Sequence, residues 1–162
     1  MNGQQAFERL AALCARGEHC EHDLREKMRR WDIDEQERDD VIRRLRDGKF
    51  IDDERYCRAF VRDKAGQNRW GRRKIEQALW LKRIPKDVVE AVMAETDDSS
   101  YVETLRPMLA QKRKTVKAAS DFELRNKLFR WALSRGFAAD VIRQCMDTTD
   151  ISYDESDEMD GF

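Results

Sequence analysis

Proline and histidine are scarce in this chain: 162 residues include only Pro85 and Pro107, His19 and His22. So little proline leaves long stretches free to be helical. Two neighbouring histidines leave little material for a His-centred catalytic triad. Glycine is sparse as well, at 7 residues, and no glycine-rich loop of the phosphate-cradling kind is present. No apolar run approaches the roughly 18 residues that cross a bilayer. The opening MNGQQAFERL lacks the basic-then-hydrophobic order of a secretory signal, so a cytoplasmic protein away from membranes is expected. Cys14, Cys20, Cys57 and Cys145 show no repeated CxxC spacing, which fits reduced thiols.

Charge is what the chain has in abundance. Its 32 basic and 33 acidic residues nearly cancel, to −1, but they are not evenly spread. Between Arg58 and Arg83 nine bases face two acids, Asp63 and Glu76, an excess of seven. After Arg143 there is no base, while seven acids follow from Asp147 to Asp160. A near-neutral total can therefore hide a basic working surface. The acidic stretch 148–162 is poor in apolar residues and is expected to be a disordered tail.

Elsewhere the apolar residues recur at intervals of three and four, the spacing that places side chains on one helical face. Phe7, Leu10, Leu13 and Cys14 show it, as do Leu24, Met28 and Trp31, then Val41, Ile42 and Leu45. Tyr56, Phe60 and Val61 follow, then Ile75, Ala78 and Leu79, and Val88, Val89, Val92 and Met93. Val102, Leu105 and Leu109, Leu124, Leu128, Trp131 and Ala132, and Val141, Ile142 and Cys145 complete the series. No alternating segment long enough for a sheet intervenes. The fold class is all-α.

Asp40-Val41-Ile42, Asp87-Val88-Val89 and Asp140-Val141-Ile142 lie 47 and 53 residues apart. Each follows a basic helix ending and a lone apolar residue: Arg30-Trp31-Asp32-Ile33, Lys82-Arg83-Ile84 and Ser134-Arg135-Gly136-Phe137. This is an internal repeat of a three-helix, helix-turn-helix-like unit, expected over 4–50, 51–96 and 97–147. One unit buries little surface, so the units are expected to stack into an elongated, curved array.

The stretch GEHCEHDLREKM, residues 17 to 28, raises the question of a metal. Cys14, His19, Cys20 and His22 supply the four ligands of a zinc site. Yet adjacent His19 and Cys20 diverge by about 100° on a helix, and no second pair follows downstream. A helix start accounts better for these residues, with Cys20 at the N-cap and Asp23 at N3. Asp52 and Asp53 likewise read as caps of the helix beginning near Glu54. No metal, cofactor or catalytic residue is expected; the chain does not read as an enzyme.

Glu18-His19-Cys20-Glu21-His22-Asp23-Leu24 resembles the opening signature of the RecX family. Lys49-Phe50-Ile51-Asp52-Asp53-Glu54-Arg55-Tyr56, followed by Phe60, resembles that family's aromatic-aliphatic-Asp-Asp-x-Arg-aromatic motif. Trp70-Gly71-Arg72-Arg73-Lys74-Ile75-Glu76-Gln77-Ala78-Leu79 resembles its Tyr-Gly-x-x-x-Ile-x-x-x-Leu segment, and Ser134-Arg135-Gly136-Phe137 with Asp140-Val141-Ile142 the close of its third repeat. The likeness runs in order from about Ala6 to Met146. Three departures stand out: Cys20 for the usual Ser, Asp32 for Gly and Trp70 for Tyr. The resemblance implies three tandem three-helix repeats and a regulator of the RecA recombinase. Such a protein associates with the RecA–DNA filament and restrains ATP hydrolysis and strand exchange without being an enzyme; a monomer is expected. The residues taken alone leave open a sequence-preferring helix-turn-helix DNA-binding regulator or a helical adaptor.

Arg69, Trp70, Arg72, Arg73, Lys74 and Arg83 form the candidate filament- or DNA-binding patch. Bases clustered at a helix start oppose its dipole, a local cost that favours a selected role. Lys112, Arg113, Lys114 and Lys117 form a weaker second group at a helix end, where cations are welcome anyway. Trp80 and Leu81 are expected to pack against an adjoining repeat, because stacked repeats need a second apolar face. Pro107 is expected to kink its helix, or to mark a helix whose regular part starts near Arg106.

Overall fold

In a computed structural model of the chain, residues 1–146 are described, and the expected acidic tail 148–162 lies outside them. Among the described residues there are nine α-helices and no strand. They are α1 (Gly3–Arg16), α2 (Glu21–Arg30), α3 (Glu35–Asp47), α4 (Asp53–Gly66), α5 (Arg72–Leu81), α6 (Lys86–Met93), α7 (Asp98–Arg113), α8 (Asp121–Ser134) and α9 (Ala139–Met146).

The helix starts follow from short polar side chains. Asn2 Oδ1 accepts from Gln5 N at 2.9 Å, while Gln5 Oε1 accepts from Asn2 N at 3.0 Å, a reciprocal capping box. Asp34 caps α3 through Glu37 N at 2.8 Å, and Asp52 caps α4 through Arg55 N at 2.9 Å. Ser120 accepts from Glu123 N at 3.1 Å, and Glu123 returns a carboxylate oxygen to Ala119 N at 2.9 Å. Cys20 holds the N-cap backbone position of α2 (φ −103°, ψ 158°), but its thiol makes no capping bond. Burial pushes that thiol up from its usual range.

The internal repeat is a repeated helix ending. Asp32 N donates to Arg29 O (3.0 Å) and Ile33 N to Met28 O (3.1 Å). The same pair recurs as Arg83 N to Trp80 O (2.9 Å) with Ile84 N to Leu79 O (3.2 Å), and as Gly136 N to Leu133 O (2.9 Å) with Phe137 N to Ala132 O (3.2 Å). These are Schellman closures, which need a left-handed residue followed by an apolar one. Asp32, Arg83 and Gly136 have φ of 56°, 59° and 95°, and Ile33, Ile84 and Phe137 are buried. The lone apolar residue of the sequence pattern is the one that this turn drives into the core.

Packing divides the chain into two compact units. The first comprises Met1–Phe60 with Leu79–Val92. Its core joins Ala6 and Leu10 of α1, Leu24 and Met28 of α2, Val41, Ile42 and Leu45 of α3, and Ile33 and Ile51 from the turns. Cys14 packs against this cluster, as its spacing from Leu10 predicts. Burying each large aliphatic side chain contributes about 1.5–3 kcal/mol. An ionic mesh crosses the surface: Arg46 reaches Glu21 at 2.9 Å and Asp53 at 3.3 Å, and Arg25 reaches Glu21 at 3.0 Å and Asp39 at 2.7 Å.

The second unit comprises Val61–Ala78 and the described chain from Met93 onward. Tyr101, Val102, Leu105, Met108 and Leu109 of α7, with Leu128, Phe129, Ala132 and Leu133 of α8 and Val141 and Ile142 of α9, are buried in it. Pro107 does not divide α7, which runs unbroken from Asp98 to Arg113. A helix with its regular part starting near Arg106 is therefore not what forms. The proline sits on an exposed face, and the buried residues before and after it hold both halves of the helix to the core.

Candidate interaction surface

Most of the basic candidates gather in the second unit, around the start of α5. Arg69 is exposed and left-handed (φ 55°) in the turn after α4. It sets up Trp70, whose N–H closes on Lys64 O at 2.9 Å and whose half-buried ring lies 4.9 Å from the ammonium groups of both Lys64 and Lys74. Two cations on one indole is an arrangement that ring electrostatics favour.

The next residue explains the motif. Gly71 N donates to Arg135 O at 2.9 Å, and Arg73 N donates to Gly136 O at 3.0 Å. The C-terminal turn of α8 thus caps the open N-terminus of α5, backbone to backbone. A Cβ on Gly71 would stand 2.3 Å from the carbonyl carbon of Gly136 and from Phe137 N, so no other residue fits there without displacement. A Cβ on Gly136 would meet Lys74 Cβ at 2.3 Å. Trp70-Gly71-Arg72 and Arg135-Gly136-Phe137, distant in sequence, are two halves of one crossing. The first turn of α5 contains no acid, but the negative end of α8 faces it. The unfavourable dipole anticipated for Arg72, Arg73 and Lys74 is offset within the fold.

Each candidate can now be placed. Arg72 is turned inward: its guanidinium donates to Met93 O at 2.8 Å and Thr96 O at 2.7 Å, lies 3.4 Å from Asp98, and stacks 5.0 Å from the Tyr101 ring centre. It clamps the end of α6 to the start of α7. Arg73 is exposed and Lys74 half-buried. Burial pushes the Lys74 ammonium down, and the Arg135 guanidinium adds to this, so the site disfavours its own positive charge. Glu76 faces Arg72 and Arg73; burial pushes its carboxyl up, and the two guanidinium groups pull it partly back. Arg135 lies close to Lys74, a neighbour that spacing does not reveal. Its Nη2 reaches Asn68 O at 3.4 Å across 67 residues, and its Nε is buried without a partner. Arg83, the left-handed residue after α5, is exposed in the first unit.

The second basic group belongs to the end of α7. Lys112 lies 5.5 Å from the Trp131 ring, Arg113 ends the helix, and Lys114 is its C-cap. Lys117 is exposed, and its carbonyl accepts from Lys127 at 2.7 Å. Trp80 and Leu81, expected to pack against an adjoining repeat, are 74% and 60% exposed. Among the described residues, no group of three or more His, Cys, Asp or Glu converges to hold an ion. No helix among the described residues is long and apolar enough to cross a membrane.

Comparison with known proteins decides the family. Residues 52–93 match the family model "RecX, second three-helix domain", and residues 99–146 match "RecX, third three-helix domain". The regulatory protein RecX of Mannheimia succiniciproducens is 31% identical over 136 residues, covering 83% of this chain and 88% of that one. This chain belongs to the RecX family. The regulatory protein RecX of Clostridium botulinum (strain Eklund 17B / Type B) is 30% identical over 125 residues, 76% of this chain, and the match spans only 58% of that longer relative. A crystal structure of regulatory protein RecX superposes with a TM-score of 0.83 at 19% identity, over 90% of this chain and 73% of that one, which shows the shared fold. The RecX motifs acquire physical meaning here. Asp52 caps α4, and Arg55 turns back to donate to Lys49 O and Phe50 O, each at 3.1 Å, and to Glu18 at 2.8 Å. These motif residues build the scaffold, and Arg69 and Arg73 beside them are exposed.

Proposed function

We propose that this chain is a non-enzymatic regulator, working in the cytoplasm as a monomer. It binds the filament that RecA recombinase forms on DNA and restrains its ATP hydrolysis and strand exchange. The observation that carries this reading is the in-order match to two successive RecX domains, with relatives named as regulatory proteins. The basic face around Trp70 supports it, with Arg69, Arg73, Lys74 and Arg135 suited to phosphate or to acidic protein surface. Successive three-helix repeats, here proposed as 4–50, 51–96 and 97–147, would engage several sites on one polymer. Each further contact then becomes intramolecular, so avidity holds one filament geometry and slows the motions that turnover requires.

The test is the DNA-dependent ATPase of the recombinase from the same genome, measured against increasing wild-type chain and an Arg69→Glu/Arg73→Glu variant. Arg72 is left intact because its reversal would break the clamp between α6 and α7. Wild type should inhibit, and the variant should need far more protein for the same effect at unchanged helicity. A recombinase indifferent to the wild-type chain refutes the function. Equal inhibition by the variant places the contact elsewhere. Sequence-selective duplex binding without recombinase would favour a helix-turn-helix regulator instead.

A further inference from the structure

The Schellman closures at the three copies of the repeated motif give the chain an internal comparison. Aligned by hydrogen-bond register, Trp80 and Leu81 stand where the first repeat has Arg29 and Arg30, and where the third has Leu133 and Ser134. Arg29 and Arg30 are exposed and Leu133 is buried. The same backbone element in the same chain therefore works with charged residues at the exposed positions. Architecture does not require an indole and an isobutyl group in water. Adjacent exposed Trp and Leu favour self-association and aggregation unless they serve a contact.

The pair is also held ready. Leu79 before it and Ile84 after it are buried, and the Lys82 ammonium is fixed at 2.9 and 3.0 Å from the Asp23 carboxylate oxygens. Trp80 and Leu81 thus project from a helix end anchored on both sides, and little conformational freedom is left to lose on binding. The flanking sequence is basic, with no acid between Gln77 and Lys86; Lys82 is paired with Asp23 and Lys86 lies 3.8 Å from Glu90, while Arg83 is exposed two residues beyond Leu81. A nucleobase platform needs only the aromatic face; an aliphatic side chain beside it makes a wedge suited to a protein pocket.

We propose that Trp80 and Leu81 are an apolar anchor that seats in an apolar cleft, rimmed by carboxylates, on a protein subunit of the recombinase filament. This rests on the function proposed above and adds to it a division of labour. The anchor reads protein, whereas the bases around Trp70 can read phosphate.

The test compares the full wild-type chain with Trp80→Asn/Leu81→Gln. Binding is measured to recombinase filaments on single-stranded DNA and to the same DNA bare, with sedimentation of the chain alone. The double variant should lose on the order of tenfold or more in filament affinity, the scale of an aromatic hot spot, and keep its affinity for bare DNA. Four outcomes overturn the anchor. Unchanged filament affinity shows that the pair is not used. An equal loss on bare DNA makes it a base-stacking site. Wild-type self-association abolished in the variant makes it an interface between copies. Deletion of residues 147–162 that newly exposes Trp80 to a fluorescence quencher makes the chain's own tail the occupant. If wild type ignores filaments altogether, the function itself fails and takes the anchor with it; that result differs from a variant matching an active wild type.

Discussion

At the scale of single residues, much of this chain's identity lies in backbone conformation. Gly71 and Gly136 are required by the close crossing of α5 and α8, a constraint no spacing rule conveys because the partners are remote in sequence. Gly71→Ala and Gly136→Ala should each cost about 3 kcal/mol or more in urea unfolding, the range of overpacking with lost caps. Gly66→Ala, where nothing lies within 4 Å of the added carbon, should stay within about 1 kcal/mol. Equal effects at all three sites would refute the crossing. In the opposite direction, Asp32 and Lys49 hold left-handed conformations without being glycine. That strain is roughly 1–2 kcal/mol for a side-chain-bearing residue, against about 0.4–1 kcal/mol of extra unfolded-state freedom for glycine. Asp32→Gly and Lys49→Gly should therefore stabilise by up to about 1 kcal/mol, read as a higher midpoint with unchanged slope.

Among the elements, the apolar spacing located the nine helices well, since a buried stripe at period 3.6 leaves its mark directly on the sequence. The reading failed where the deciding partner comes from elsewhere in the chain. Pro107 suggests a kink or a helix regular only from near Arg106, yet α7 runs from Asp98 to Arg113 with buried residues on both sides of the proline. Arg72 and Arg73 are neighbours of identical chemistry, but one is a clamp on Met93 and Thr96 and the other is exposed. Arg72→Lys keeps the charge and loses the planar fork, so it should still destabilise the second unit markedly; wild-type stability in that variant would dismiss the clamp. In the first unit, burial alone would raise the Glu21 carboxyl, but hydrogen bonds and charge from Arg46 and Arg25 outweigh it and hold it below the usual range. A group whose folded value lies below its unfolded one, near about 4.3, adds stability above that value and loses it as pH falls through the folded one. Acid should therefore weaken wild type through this interval more steeply than Glu21→Gln, as denaturant titrations at successive pH values would show.

For the molecule as a whole, residues of the RecX-like motifs serve caps, turns and crossings, whereas Arg69, Arg73, Trp80 and Leu81 are exposed and are the ones proposed above for recognition. The basic surface was visible in outline as the charge excess between Arg58 and Arg83. Spacing does not reveal that Arg72 turns inward to Met93 and Thr96, or that Arg135 comes close to Lys74, because each depends on a segment elsewhere in the chain. Under the proposed function, the chain should prefer the recombinase filament to its DNA alone. The most direct measurement is equilibrium binding of the chain to preformed recombinase filaments and to the same bare single strand, across a salt series. Filament binding should be the tighter at every salt, and on bare DNA Arg69→Glu/Arg73→Glu should lower the salt slope by about 0.7 for each phosphate contact removed. Equal affinity for filament and bare strand, or no binding to either, would contradict the account.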